Sequence, residues 1–207
     1  MKRPAIILIV IVLALYAYTC HAAAEARKAT DFVQAMLTEI IAIQNDPRLQ
    51  NPESKNMRKD LVRKIILRSF DFNTMAKDAL GPQQWNGMTK SQQTEFKSVF
   101  QDLFVESYLR LVLDFLKKEK IEYGEERHSQ GKRLVKTIMH RQEDRIPVDY
   151  FLIISGDRWT ITDVTIEGVS IIENYRKSFS RIIRQDSLNG LLRKMRLQQK
   201  AAQGNGT

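Results

Sequence analysis

The sequence predicts an α+β domain in which helices pack on one antiparallel sheet of four strands, and three observations carry that expectation. Apolar residues recur at helical spacing from Arg27 to Lys118, alternate with a period of two from Ile121 to Ile166, and return to helical spacing after Gly168. The alternating runs are joined by short polar turns, which suit hairpins and leave no room for parallel crossovers. Helices, then a meander, then helices again is the order expected when helices gather on one side of an antiparallel sheet.

Each element has its own signal. Arg27 to about Gln44 places Phe32, Val33, Met36, Leu37, Ile40, Ile41 and Ile43 in a helical pattern, which Asn45-Asp-Pro47 and Asn51-Pro52 interrupt. A second helix is expected from Pro52 to Ser69, with Leu61, Val62, Ile65 and Ile66 on one side. Asp71 can cap a short third helix carrying Met75, Ala76, Ala79 and Leu80. Gly81-Pro82 should stop it, since glycine accepts a left-handed end and proline cannot continue a helix.

The longest helical segment runs from Thr89 to about Lys118, and Thr89 with Gln92 fits a capping box. Its stripe is narrow at Phe96, Val99, Phe100 and Leu103. It then widens, through Phe104, Val105, Tyr108, Leu109, Leu111, Val112, Leu113, Phe115 and Leu116, to an arc of about 200°. A helix on one surface needs about half that arc. The second half therefore has neighbours on several sides or lines a cavity, and the pattern leaves both open.

Ile121–Gly124, Leu134–His140, Ile146–Ile154 and Trp159–Ile166 read as strands, with turns at Ser129–Gly131, Glu143-Asp144 and Gly156-Asp157. Pro147 has no amide donor and suggests an edge or a bulge. Ser170 and Glu173 again fit a capping box, opening a helix with Ile171, Ile172, Tyr175, Phe179, Ile182 and Ile183 on one face and Arg176, Lys177, Arg181 and Arg184 on the other. A last basic helix is expected from Ser187 to about Gln199, followed by a frayed tail over 201–207.

With 207 residues, 43% hydrophobic and 28% charged, the chain suits one ordinary globular domain, here placed over 25–200. Residues 1–24 have the layout of a secretory signal peptide: basic Lys2-Arg3, an apolar run from Ala5 to Tyr18, and small residues up to Ala24. That run is shorter than the roughly 20 residues that cross a bilayer core. An uncleaved anchor is the competing reading. Cleavage lowers the formal charge from +9 to +7, because Lys2 and Arg3 leave with no acid. It also removes Cys20, the single cysteine, so the mature domain has no disulfide and no thiol nucleophile.

Catalytic chemistry is hard to find. Only His128 and His140 remain after cleavage, and no H-x-x-x-H, C-x-x-C or G-x-S-x-G spacing occurs. The nine glycines stand singly, so no phosphate loop is present. Asp157, Asp163, Glu167 and Glu173 supply carboxylates. Asp163 invites an acid–base role, though a mid-strand aspartate more often accepts turn amides or pairs with arginine. The basic balance is dispersed and its aromatics sit on apolar stripes, which argues against nucleic acid. A solvated face, anionic head groups or an acidic partner remain.

These residues resemble the MlaC family of periplasmic phospholipid shuttles, toluene-tolerance auxiliary components of an ABC transporter. The matching pieces are Phe70-Asp-Phe72, Ala79-Leu-Gly81 with Trp85, Thr89, Gln92 and Phe96, Phe100 to Leu103, Tyr108, Val148-Asp-Tyr150, Trp159, Asp163-Val164, Glu167-Gly-Val-Ser170, Asn174-Tyr-Arg176, Phe179 and Gly190-Leu191. The resemblance implies a twisted sheet and helices enclosing an apolar pocket for acyl chains, in a periplasmic, non-enzymatic carrier needing no metal or cofactor. It also implies docking to an inner-membrane ABC transporter with an MCE-domain protein and to an outer-membrane lipoprotein complex. Hopanoid or other lipid carriers of the same fold are the alternative, and an enzyme of a cone-shaped α+β fold using Asp163 comes behind. The expected lining is Phe100, Phe104, Tyr108, Val148, Tyr150, Leu152, Ile161, Val164, Val169, Ile172, Tyr175 and Phe179, each of which ordinary core packing would equally explain. Arg176 and Arg181 are the candidates for head-group or partner contact.

Overall fold

A computed structural model describes residues 28–204, so the expected signal peptide and Cys20 lie outside the described residues. Helix α1 (Ala29–Asn45) is followed by two 3₁₀ turns, Pro47–Leu49 and Pro52–Ser54, then α2 (Lys55–Ser69) and α3 (Phe72–Leu80). A short α4 (Pro82–Asn86) and the long α5 (Lys90–Phe115) precede strands β1 (Lys120–Ser129), β2 (Lys132–Arg141), β3 (Asp144–Ser155), β4 (Arg158–Ile166) and β5 (Val169–Ser170). Helices α6 (Ile171–Gln185) and α7 (Leu188–Gly204) close the chain, α7 reaching beyond the expected stop near Gln199. The fold is α+β, as the alternation of periods predicts.

The sheet is antiparallel in the order β1-β2-β3-β4-β5, and five strands replace the expected four. The fifth has two residues, Val169 and Ser170, which pair with Ile166 and Thr165. Glu167 (φ 50°) and Gly168 (φ 81°) between them both have positive φ, the geometry of a two-residue hairpin whose twist matches its strands. A strand this short has no periodicity to read.

Two prolines refine the expectations. Pro82 does not simply follow the end of α3. It opens α4, where a first-turn proline loses no intrahelical hydrogen bond. Pro147 lies in the central strand β3, opposite Ile138 of β2, and its carbonyl accepts from the Glu167 amide at 2.9 Å. In an antiparallel strand the N–H and C=O of one residue face the same neighbour. Pro147 therefore turns its missing donor toward β4 just where that ladder ends at Ile166, which is locally an edge.

Caps explain several boundaries. Asp71 accepts from the Asn73 and Thr74 amides, both at 3.0 Å, and starts α3. The Thr89–Gln92 capping box forms in full. At α6 only half of the expected box is made: Ser170 Oγ accepts from the Glu173 amide at 2.9 Å, while the Glu173 carboxylate turns to Arg176 at 3.4 Å. Helix α1 has no local side-chain cap. The carboxylate of Glu126 on β1 accepts from the Thr30 amide (3.1 Å) and hydroxyl (3.2 Å) instead.

The core divides along α5. Around its first half, Phe96, Phe100 and Phe104 meet Phe179 and Tyr175 of α6 at ring separations of 5.3 to 6.5 Å. Trp85, Phe70 and Phe72 extend the same aromatic body. Leu191, Leu192 and Met195 of α7 are buried in the same core cluster. Farther along, α2 is tied to α5 by the buried Glu106, which pairs with Arg63 at 2.5 Å and Lys59 at 3.4 Å.

Candidate functional site

Beyond the Phe104–Tyr108 ring contact, the face of α5 toward the sheet leaves a gap. The second half of α5, α1 and the inner face of the sheet surround an apolar cavity of about 140 Å³ that is partly open to solvent. Met36, Leu37 and Ile40 line it from α1, and Phe104, Tyr108, Leu111, Val112, Phe115 and Leu116 from α5 and the residue after it. The sheet contributes Ile121, Thr137, Met139, Val148, Tyr150, Val164 and Ile166, and Ile66, Phe70 and Ile171 complete the wall. A cavity of about 150 Å³ lined by apolar groups is large enough to stay dry and admit benzene, so this is more than a packing fault.

Register puts those strand residues on one face. Ile121 pairs with Met139, Thr137 with Val148, Val148 with Ile166, and Tyr150 with Val164. Ile161 and Val164 are three apart and would face opposite sides of a regular strand. A bulge solves this: Leu152 pairs with Ile161 and Phe151 with Asp163, leaving Thr162 as the extra residue. Both Ile161 and Val164 can then turn inward.

The wall carries no ionised group. The Thr137 hydroxyl donates to the Val148 carbonyl at 2.6 Å, which spends its polarity on the backbone. Burial raises the pKa of both Tyr108 and Tyr150, so the phenols stay neutral. Neither hydroxyl has a hydrogen-bond partner among the described residues. Such a surface favours hydrocarbon, since each CH₂ taken from water contributes about 0.8 kcal/mol.

At the open end, Leu111 is 38% exposed and Phe115 is half-buried. The Arg141 guanidinium lies 4.1 Å from the centre of the Phe115 ring. On the other side of α5 a larger cleft, about 460 Å³, is lined by Lys55, Arg58, Lys59, Arg110, Lys117 and Lys118 with Glu106 and Asp114. Its polarity suits water and ions rather than acyl chains.

Of the residues expected from sequence to line a pocket, the structure brings Phe104, Tyr108, Val148, Tyr150 and Val164 onto this wall. Phe100, Leu152, Ile161 and Ile172 are buried in the core, and Phe179, also buried, lines a separate, more polar pocket between α6 and α7. Val169 is 62% exposed on β5, and Tyr175 packs half-buried against Phe100 and Phe179. Arg176 donates from Nε to the Asp78 carbonyl at 3.1 Å, and Arg181 is exposed on the same outer face of α6. Neither arginine is on the cavity wall. The lining residues that the sequence reading passed over come from the end of α5 (Leu111, Val112, Phe115 and Leu116), from α1, and from β1 and β2, with Ile66, Phe70, Ile166 and Ile171 between them. The one available signal was the widened arc of α5, which already contained Leu111, Val112, Phe115 and Leu116.

Asp163 has a structural occupation. Its carboxylate accepts from the Val164 amide (2.8 Å), the Ile172 amide (3.1 Å) and the Ser170 hydroxyl (2.5 Å), joining the bulge to the start of α6. Burial raises its pKa above the ordinary value, against the downward pull of those bonds. His128 is exposed, and His140 lies 3.1 Å from Glu122 on the outer face of the sheet. Among the described residues no cluster of His, Cys, Asp and Glu could hold a metal ion, and no helix is long and apolar enough to cross a membrane.

Comparison with known proteins agrees with this fold. No curated protein matches the chain. Among solved structures it is similar to a phospholipid-binding protein from Ralstonia solanacearum, determined in complex with a phospholipid. The match has a TM-score of 0.72 and 21% identity, covering 85% of this chain and 99% of that one. A family model described as MlaC protein matches residues 34–197, from the middle of α1 into α7. With most of its length matched, the chain belongs to the MlaC family.

Proposed function

We propose that this protein is a periplasmic carrier that holds phospholipid acyl chains in the cavity between α1, α5 and the sheet. It shuttles lipid between an inner-membrane ABC transporter bearing an MCE-domain protein and an outer-membrane lipoprotein complex, without catalysis or a cofactor. The observation that supports this most is the uncharged cavity, open on one side, in a chain matched by the MlaC family. The bound phospholipid of the Ralstonia relative supports the choice of ligand. Lipid crossing an aqueous compartment must hide many methylenes, and at about 0.8 kcal/mol each a few suffice to hold it. Release then needs a membrane partner that offers a competing apolar site.

Native mass spectrometry of protein exported with its own leader tests the reading, because it reports ligand mass and stoichiometry together. A phospholipid mass is expected; a hopanoid mass would transfer the same mechanism to the alternative cargo. Delipidated protein that takes up no lipid from vesicles would sink the carrier reading. The enzyme reading has little support from Asp163, whose oxygens are already taken by three donors.

A further inference from the structure

We propose that Arg141 is the contact for the phosphate of the bound phospholipid, an inference that rests on the carrier reading above. Two independent observations carry it. The first is register. Thr137, Met139 and Arg141 are alternate residues of β2 and so share one face, and Thr137 and Met139 line the cavity. Arg141 is the next member of that row, at the strand's last position, where the apolar wall ends. The second is the stacking of its guanidinium on Phe115, a residue of the wall itself, at 4.1 Å.

The ring holds the guanidinium carbon over its face, and no hydrogen bond takes the N–H groups among the described residues; those are the groups that grip a phosphate in bidentate fashion. No carboxylate pairs with Arg141 among the described residues. Its partner on the ladder is Asp144, which is exposed and makes no ion pair with it. Glu122, His140 and Arg145, the nearest charged cluster, bind one another. They sit on neighbouring positions of opposite parity, hence on the outer face. The result is an apolar slot with one oriented cation at its open end, which matches an acyl chain joined to a phosphodiester. Arg176, the cation on α6 that the sequence singles out, is by contrast already engaged by Asp78 and Glu173.

The test uses the delipidated full-length mature protein and two fluorescent probes with identical acyl chains, a phosphatidylglycerol and a diacylglycerol. Wild type, R141Q, R141K and the surface control R176Q are compared, with thermal melting to verify folding. R141Q should weaken phosphatidylglycerol binding about tenfold, the order expected on losing one charge-assisted contact, and leave diacylglycerol binding unchanged. R141K should fall between, since lysine keeps the charge but lacks the planar fork. Equal binding of both probes by R141Q and wild type overturns the proposal. So does an equal loss of both, which would mean that Arg141 only supports Phe115. Inorganic phosphate should compete poorly, because it lacks acyl chains. Strong competition by phosphate alone would make this a free-anion site and overturn the assignment to a lipid. A wild-type protein that binds neither probe is the separate failure of the carrier reading.

Discussion

The two halves of α5 are built from the same kinds of residue and do opposite things. Around Phe96 and Phe100 the helix is gripped by α6 and α7, and rings fill the space between α5 and α6. Around Val112 and Phe115 it faces the sheet and α1, and the space stays open. Phe104 is the seam, touching Phe100 and Tyr175 on one side and Tyr108 on the cavity side at 4.7 Å. Apolar character alone therefore does not distinguish a core from a binding site. The difference lies in what faces the helix: the rings of α6 along the first half, and a mainly aliphatic sheet face with α1 along the second.

The sharpest way to break this comparison is to truncate the filled half. Phe100→Ala should cost about 3–5 kcal/mol in denaturant unfolding, because the surrounding rings cannot collapse into the gap. A loss below about 1 kcal/mol would show that this half is as loose as the other.

Next comes the joint between the sheet and α6. Asp163→Ala should cost about 1–3 kcal/mol by leaving the Val164 and Ile172 amides without their acceptor, with lipid uptake retained. A pH series refines this. Burial raises the folded-state pKa of Asp163, so the folded state takes up a proton before the unfolded state does. The contribution of this group to stability is then fully present below the ordinary value of 3.8 and is lost as pH rises through the folded value. Compared with Asp163→Asn, wild type should gain relative stability on acidification from neutrality toward 3.8; a flat difference contradicts the shift.

Filling the open half should do little to stability and much to function. Val148→Phe puts bulk into the cavity, so unfolding free energy should change by about 1 kcal/mol or less while lipid uptake from vesicles falls severalfold. Unimpaired uptake would locate the lipid elsewhere. The smallest effect is expected at Thr160, whose buried hydroxyl has no hydrogen-bond partner among the described residues. Thr160→Val removes an orphaned group and should stabilise by up to about 1 kcal/mol, read as a small rise in melting temperature.

Much of the fold was legible because its signals are local. The stripe of α6, the Thr89 box and the Asp71 cap each depend on residues within a turn or two, and sequence spacing reports them directly. The cavity was legible only in outline. The arc on α5 announced that something besides one neighbour lay against it. Met36, Met139 and Ile166 gave no sign of sharing a wall, because a cavity is the gap between elements and no single element encodes it. The same holds for Thr162, whose bulge decides the facing of Val164, and for Pro147, which sits mid-sheet only because β4 ends beside it.

The cap of α1 has a consequence in time rather than in space. The acceptor that starts this helix is Glu126, 96 residues downstream of Thr30. A chain synthesised from its N-terminus delivers the helix long before the carboxylate that secures it. Closing so long a loop is entropically slow to be rewarded, and folds rich in distant contacts form late. Met36, Leu37 and Ile40 ride on that helix, so one wall of the cavity is fastened only when β1 has arrived and paired. Until then the apolar stripe of α1 is exposed, and this early interval is when the chain most needs a chaperone or rapid completion of the sheet.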